Sequence, residues 1–161
     1  MEILENLSST QRGKIAELHV ATALMSQSRG RLSPFSPISD DHGIDLVIVD
    51  KVTGRALPVQ VKSWMLSPDR PVKTVQFDVR KATFSTVSGG AIIAVVMDPE
   101  TLVMTMAWLI PLKDLPTLAT EQENKFVLAP SRMEGTADRY IGHRHSSIAS
   151  LTRAVEALMA Q

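Results

Sequence analysis

Apolar residues recur at helical spacing at both ends of the chain and at strand spacing in between. Near the start, Ile15, Leu18, Ala21 and Met25 fall on one face of a 3.6-residue period. Ser8 with Gln11 fits a capping box, in which each side chain satisfies a free backbone N–H at the helix start. Gly30, after Ser28 and Arg29, supplies the stop. The next stretch, Leu32 to Asp41, contains Pro34 and Pro37 and little periodicity, which predicts a loop or an irregular edge strand. Then Ile44, Leu46 and Ile48 alternate with Asp45, Val47 and Val49, and after a turn holding Gly54, Leu57, Val59 and Val61 alternate with Pro58, Gln60 and Lys62. Two strands joined by a short turn predict a hairpin.

Pro68 and Pro71 break the chain, and Val75 to Val79 predicts a short third strand. Arg80 to Val87 predicts a short helix closed by Gly89-Gly90. Ala91 to Met97 is continuously apolar, the pattern of a strand buried on both faces. A turn at Asp98-Pro99-Glu100 leads to a strand over Leu102 to Ile110. Lys113 to Thr120 reads as a helical segment interrupted by Pro116, Phe126 to Leu128 as a short strand, and Ser131 to Arg144 as polar loop. A terminal helix over Ser147 to Met159 sets Leu151, Val155 and Leu158 on one face. The order is α-β-β-β-α-β with a C-terminal strand and helix extension. An α/β fold with a mixed sheet flanked by helices is the natural packing.

Composition narrows the function classes. The 161 residues suit one domain, read as residues 1–161, and 44% hydrophobic residues suffice for a core. Aromatic residues are only 4%, so that core is aliphatic, with methionine filling gaps. The absence of cysteine excludes disulfides, thiolate metal sites and cysteine nucleophiles, and fits a reducing compartment. No secretory start and no membrane-length apolar run is visible, so a soluble, cytoplasmic protein is expected. Seventeen basic and seventeen acidic side chains cancel. That balance argues against a general nucleic-acid coat but not against a nuclease, whose cleft needs acid for metal and base for phosphate.

The hairpin allows a geometric reading. A turn centred between Val52 and Thr53 sets Asp45 opposite Gln60, with Lys62 one diagonal away on the same face. Ile44, Leu46, Val59 and Val61 then point to the other face. A slip of one residue would turn Asp45 to the apolar side. A carboxylate beside a second oxygen ligand can hold Mg²⁺, a hard cation that keeps several waters. A neighbouring lysine can help lower the pKa of a water or stabilise charge developing on phosphorus. Glu17 offers a second carboxylate from the first helix, and Gly13, one turn earlier, would let backbone pass close to it.

These residues fall in an ordered pattern: Gly13-Lys-Ile-Ala-Glu17, then Asp41-His-Gly43-Ile-Asp45, then Val59-Gln60-Val61-Lys62. The pattern resembles the PD-(D/E)XK nuclease superfamily. Within it the pattern is most similar to Mrr-type restriction endonucleases and to small endonuclease domains related to archaeal Holliday-junction resolvases. The resemblance implies a restriction-endonuclease-like core and a metal-dependent DNA endonuclease that hydrolyses phosphodiester bonds with Mg²⁺ or Mn²⁺. It implies that Asp45 binds metal, that Gln60 and the Val61 carbonyl complete the ligand set, that Glu17 supports it, and that Lys62 orients or activates the attacking water. Gln60 stands where the family usually has an acid. An amide oxygen still ligates Mg²⁺ but adds no charge, so two carboxylates and one ammonium leave the site at −1 and weaken its hold on metal. The alternative expectation is a nuclease-fold module of weak or no activity that binds DNA or a partner protein.

Arg12, Lys14, Lys51, Arg55, Arg80 and Lys81 are candidate phosphate contacts, chosen for their positions around the hairpin and nearby helices. Asp40 and Asp41 read as turn caps, His42 as a loop residue and His19 as helix surface. His143 and His145 flank Arg144 without an acid pair, which does not favour a metal site there. Packing is the default for Trp64 and Trp108. A homodimer is expected by analogy with nucleases that cut two strands.

Overall fold

In the computed structural model, residues 7–39, 43–67, 69–84 and 89–161 are described. Asp40, Asp41 and His42 lie outside the described residues, as does the second half of the helix expected over Arg80 to Val87.

Helix α1 (Ser9–Gln27) starts at the expected capping box: Ser8 accepts from the Gln11 N–H at 3.2 Å and the Gln11 side chain accepts from the Ser8 N–H at 2.8 Å. It ends where Gly30, at φ +80°, donates its N–H to the Met25 carbonyl. Its buried stripe is Ala16, Val20 and Leu24, one step off the expected face, and Leu18 and Met25 are 55% and 44% exposed. Apolar residues sit on more than one side of this helix, so two overlapping stripes fit the same period, and packing chooses between them. Among the described residues nothing lies within 4 Å of a methyl group added at Gly13, so no close backbone contact is seen there.

The main sheet runs β1-β2-β3-β5-β6-β9, made of β1 (Leu32–Phe35), β2 (Leu46–Asp50), β3 (Ala56–Met65), β5 (Ala91–Met97), β6 (Met104–Pro111) and β9 (Arg144–His145). Among the described residues of this sheet, only β3 and β5 pair in parallel. The proline-bearing stretch therefore becomes an edge strand, β1, where the missing N–H of Pro34 is tolerated. The third strand expected after the hairpin, β4 (Phe77–Arg80), does not join this sheet. It forms a second sheet, ordered β4-β8-β7, with β7 (Thr120–Glu121) and β8 (Lys125–Leu128). A single-turn helix α2 (Lys81–Phe84) follows β4, α3 (Leu115–Leu118) precedes β7, and α4 (Ile148–Met159) closes the chain, capped by Ser147.

Two apolar cores result. On one face of the main sheet, Ala16, Val20 and Leu24 of α1 and Leu151, Val155 and Met159 of α4 pack over Leu46, Ile48, Val59, Val61 and Ile93. On the other, Val75, Phe77, Val79, Phe126 and Leu128 pack over Ile92, Ala94, Val96, Trp108 and Ile110. Each fully buried Leu, Ile, Val or Phe contributes about 1.5–3 kcal/mol, so both layers matter to stability. At the hairpin turn, Arg31 grips the buried Asp50 with Nε and Nη2 at 3.0 and 2.8 Å, and Arg55 donates to the Met159 carbonyl at 2.9 Å, tying β2 and β3 to α4. The Arg31 guanidinium holds the Asp50 carboxyl well below the usual carboxylate range. Among the described residues no helix is long and apolar enough to cross a membrane.

Candidate active site

The hairpin register is the expected one: Leu46 pairs with Val59 and Ile48 with Leu57, and continuing it sets Asp45 opposite Gln60. At Asp45 the ladder changes character. The Asp45 N–H donates to the Val59 carbonyl at 2.9 Å, and its carboxylate Oδ2 accepts the Val61 N–H at 2.7 Å. A side chain thus takes over where a strand carbonyl would have continued the ladder, through a short, charge-assisted bond that fixes the carboxylate. Backbone N–H and C=O of one strand residue point to the same side. The Val61 carbonyl therefore faces the Asp45 side as well, beyond the first residue of β2.

Side-chain alternation does the rest. Val59 and Val61 enter the core under α1, which turns Gln60, Lys62 and Trp64 to the opposite face. Glu17 reaches the same place from α1. Glu17, Asp45, Gln60, Val61 and Lys62 line one cleft of about 340 Å³, together with Gly43, Arg80 and Thr83. The residues singled out on the hairpin and the helix are thus brought together. Glu17 carries an ion pair with Lys14, one turn back on α1. The donor set on offer is two carboxylates, one amide oxygen and one carbonyl. This suits Mg²⁺, which binds through one or two carboxylates and keeps waters. Among the described residues, no group of three His, Cys, Asp or Glu side chains gathers at metal-binding distance.

Gly43 and Thr83 were not singled out as site residues. Gly43 has φ +66°, and a methyl group there would stand 2.5 Å from Gln60 Nε2 and 2.8 Å from Thr83 Cβ. Its signal in the sequence is its place two residues before Asp45. Thr83 closes the β4–α2 corner by donating to the Arg80 carbonyl at 3.0 Å, and no sequence pattern marks it.

The basic candidates divide. Arg80 lines the cleft and Lys14 borders it through Glu17. Arg12 lies about 140° around α1 from Glu17 by helical geometry. Lys51 sits in the hairpin turn, about 20 Å along the strand from Asp45, and Arg55 is spent on α4 at that same end. Lys81 pairs with Glu121 at 2.6 Å and lies over the Phe126 ring. Arg12, Lys51, Arg55 and Lys81 are therefore not assembled at the cleft. His19 is half-buried rather than surface, accepting from the Met104 N–H at 3.2 Å, and burial lowers its pKa. His143 and His145 bond the Leu109 carbonyl and Ser150 Oγ. Trp108 is buried against Phe77 and Trp64 is half-buried against the same core, as packing predicts.

Beyond Lys62 a second hollow of about 480 Å³ opens, lined by Lys62, Ser63, Trp64, Gln76, Phe77 and Asp78. Hydrogen bonding from Lys125 lowers the Asp78 pKa most, with Gln76 and the charge of Lys62 adding to it.

Neither a family model nor a curated protein matches the sequence. Among solved structures, the chain is similar to a bacterial homing endonuclease, I-Ssp6803I, with TM-score 0.58 and 21% identity over 96% of each chain. It also matches Hjc, a Holliday junction resolvase from the archaeal hyperthermophile Archaeoglobus fulgidus, with TM-score 0.40 and 13% identity over 69% of this chain and 86% of that one. The likeness to the first carries the comparison, and at 21% identity it concerns the fold. The mixed sheet flanked by helices thus has the restriction-endonuclease-like fold.

Proposed function

We propose that the chain is a Mg²⁺- or Mn²⁺-dependent endodeoxyribonuclease. The observation that carries this reading is the convergence of Glu17, Asp45, Gln60, Val61 and Lys62 on one cleft. Asp45, the Gln60 amide oxygen and the Val61 carbonyl would hold the cation, with Glu17 in support. A divalent cation there supplies Lewis acidity to the phosphate and a more acidic bound water. The chain's own groups do the remainder. The Val61 amide keeps the Asp45 carboxylate from rotating away. Lys62 places its ammonium where charge grows on the phosphate oxygens, and its positive charge favours loss of the attacking water's proton to solvent. Arg80, on the facing wall, holds the phosphate in register. As the water oxygen bonds to phosphorus, the bond to one bridging oxygen breaks and that oxygen leaves with a proton. Two copies, one cleft each, would cut both strands of a duplex. A cytoplasmic location goes with the cysteine-free chain.

Lys62→Ala tests the reading in a nicking assay on supercoiled and branched DNA with Mg²⁺ or Mn²⁺. Cleavage is expected to fall by roughly 10²–10³, because the ammonium acts on charge that develops only in the transition state. Folding stability is expected to change little, within about 0.5 kcal/mol, because the side chain lies outside the cores. Equal cleavage by the variant sinks the catalytic assignment. A second reading is favoured by Gln60 in the acid's position and by the Lys14 ion pair on Glu17: a domain of weak activity that binds DNA. DNA binding in chelator by a wild type that cuts no substrate would select it.

A further inference from the structure

The hollow beyond Lys62 has no part in the hydrolysis itself, yet it is continuous with the cleft through that lysine. Its walls are strands β3 and β4. β3 presents Gln60, Lys62 and Trp64 in succession on one face, and β4 brings Arg80 to the cleft and Asp78, Phe77 and Gln76 to the hollow. Trp64 lies two residues past Lys62, about 7 Å further along the strand. A phosphodiester seated at Lys62 therefore has its neighbouring nucleotide at the hollow. Trp64, half-buried, gives the hollow its aromatic surface over the buried Phe77, while Lys62, Ser63, Gln76 and Asp78 give it polar edges. Gln76 and Asp78 are exposed, and Gln76 Nε2 donates to Asp78 Oδ1 at 2.9 Å, so an amide and a carboxylate already stand together at the rim. An aromatic platform with amide and carboxylate hydrogen-bonding groups at its edge is the chemistry that takes up an unstacked base.

Resting on the nuclease reading, we infer that this hollow is a nucleobase subsite: it receives the base of the nucleotide next to the scissile phosphate, stacked on Trp64 with its polar edge toward Gln76 and Asp78. A base that is paired and stacked in a duplex cannot enter a pocket on the protein. The subsite therefore favours substrates with an unpaired or extruded nucleotide beside the cut, and unpairing a base from an intact duplex has to be offset by binding.

The two tryptophans make the test direct. Trp108 is fully buried, so only Trp64 is accessible to a bound base. Full-length protein in chelator is titrated with a short single-stranded oligonucleotide while tryptophan emission and, separately, anisotropy of a labelled end are followed. The oligonucleotide is expected to quench emission in the wild type and to leave it nearly unchanged in Trp64→Phe, which keeps Trp108. Trp64→Ala is expected to weaken binding at least about fivefold, the low end for loss of one stacked base, with Gln76→Ala as a variant outside both cores that weakens binding less. Undiminished quenching in Trp64→Phe overturns the subsite, as does wild-type affinity in both Trp64→Ala and Gln76→Ala. Binding that survives with wild-type strength in these variants leaves the nuclease reading standing. Absence of any binding overturns the subsite, and the nicking assay with Mg²⁺ or Mn²⁺ then decides the nuclease reading by itself. Gapped and fully paired duplexes separate the source of the base: quenching by the gapped duplex alone identifies a pre-existing unpaired nucleotide, and quenching by both identifies extrusion from the duplex.

Discussion

Replacing Gly43 by alanine tests whether the cleft depends on a backbone position as well as on its charged side chains. The added methyl meets two atoms at once, Gln60 Nε2 at 2.5 Å and Thr83 Cβ at 2.8 Å, on a backbone whose φ is +66°. The three effects differ in kind. A left-handed backbone costs a non-glycine residue about 1–2 kcal/mol. The Thr83 contact involves an atom next to the backbone, which no rotamer change removes, and overpacking of this sort costs roughly 1–3 kcal/mol. The Gln60 contact is cheap in energy, because the amide sits at the end of a flexible side chain, but relieving it moves the amide away from Asp45. A total loss of about 2–5 kcal/mol follows, or a fall in Tm on the order of 4–20 °C for a chain of this size. Catalysis should suffer beyond stability, since misplacement by 1 Å can cost about 10²-fold. A thermal melt and a nicking assay at a temperature where the variant remains folded separate the two effects. Gly43→Ala with wild-type cleavage would refute the claim that the glycine positions Gln60. An unchanged melt would refute the steric argument as a whole.

Two further outcomes are expected. Gln60→Glu restores a carboxylate among the proposed ligands and should tighten Mn²⁺ binding, measured by calorimetric titration of both proteins; equal or weaker binding contradicts the role of the amide as a ligand. Asp50→Asn should lower Tm strongly at neutral pH, because it leaves Arg31 facing a neutral amide. The Asp50 carboxyl is held below its unfolded value of about 4. The stability it contributes is therefore present above that pH and is lost as pH falls through the lowered pKa. The gap in Tm between wild type and variant should close from pH 7 toward strong acid, and a gap independent of pH would contradict the pairing.

The hairpin was legible because its signals are local. Alternation and a turn at Gly54 suffice to set Leu46 against Val59, and the placement of Asp45, Gln60 and Lys62 follows. What happens at Asp45 was not legible, since the change from backbone pairing to a carboxylate on the Val61 amide depends on where β2 starts. The buried face of α1 lies one step from the one the sequence predicts because Ala16 carries little hydrophobic weight in the sequence, although its burial is complete. The sequence pattern marks β4 as a strand but not as part of a second sheet. Its partner β8 lies more than forty residues away, and short strands carry no mark of such distant pairing. Lys51 and Arg55 stand apart from the cleft for a related reason: nearness to the hairpin in sequence puts them at its turn, whereas the cleft forms at its open end.

β5 has a consequence beyond its place in the sheet. All seven of its residues are buried, and they divide alternately between the two cores: Ala91, Ile93, Val95 and Met97 on the helix side, Ile92, Ala94 and Val96 on the side of the second sheet. One strand is thus the common wall of two rooms. The helical layer and the small sheet cannot come apart independently without stripping one face of β5, so the two layers unfold as a single cooperative unit. Its amide protons belong with the last to exchange. The cleft lies at the seam between those layers, on the neighbouring strand β3, so hydrogen exchange is expected to show the β3 amides beside it protected together with those of β5.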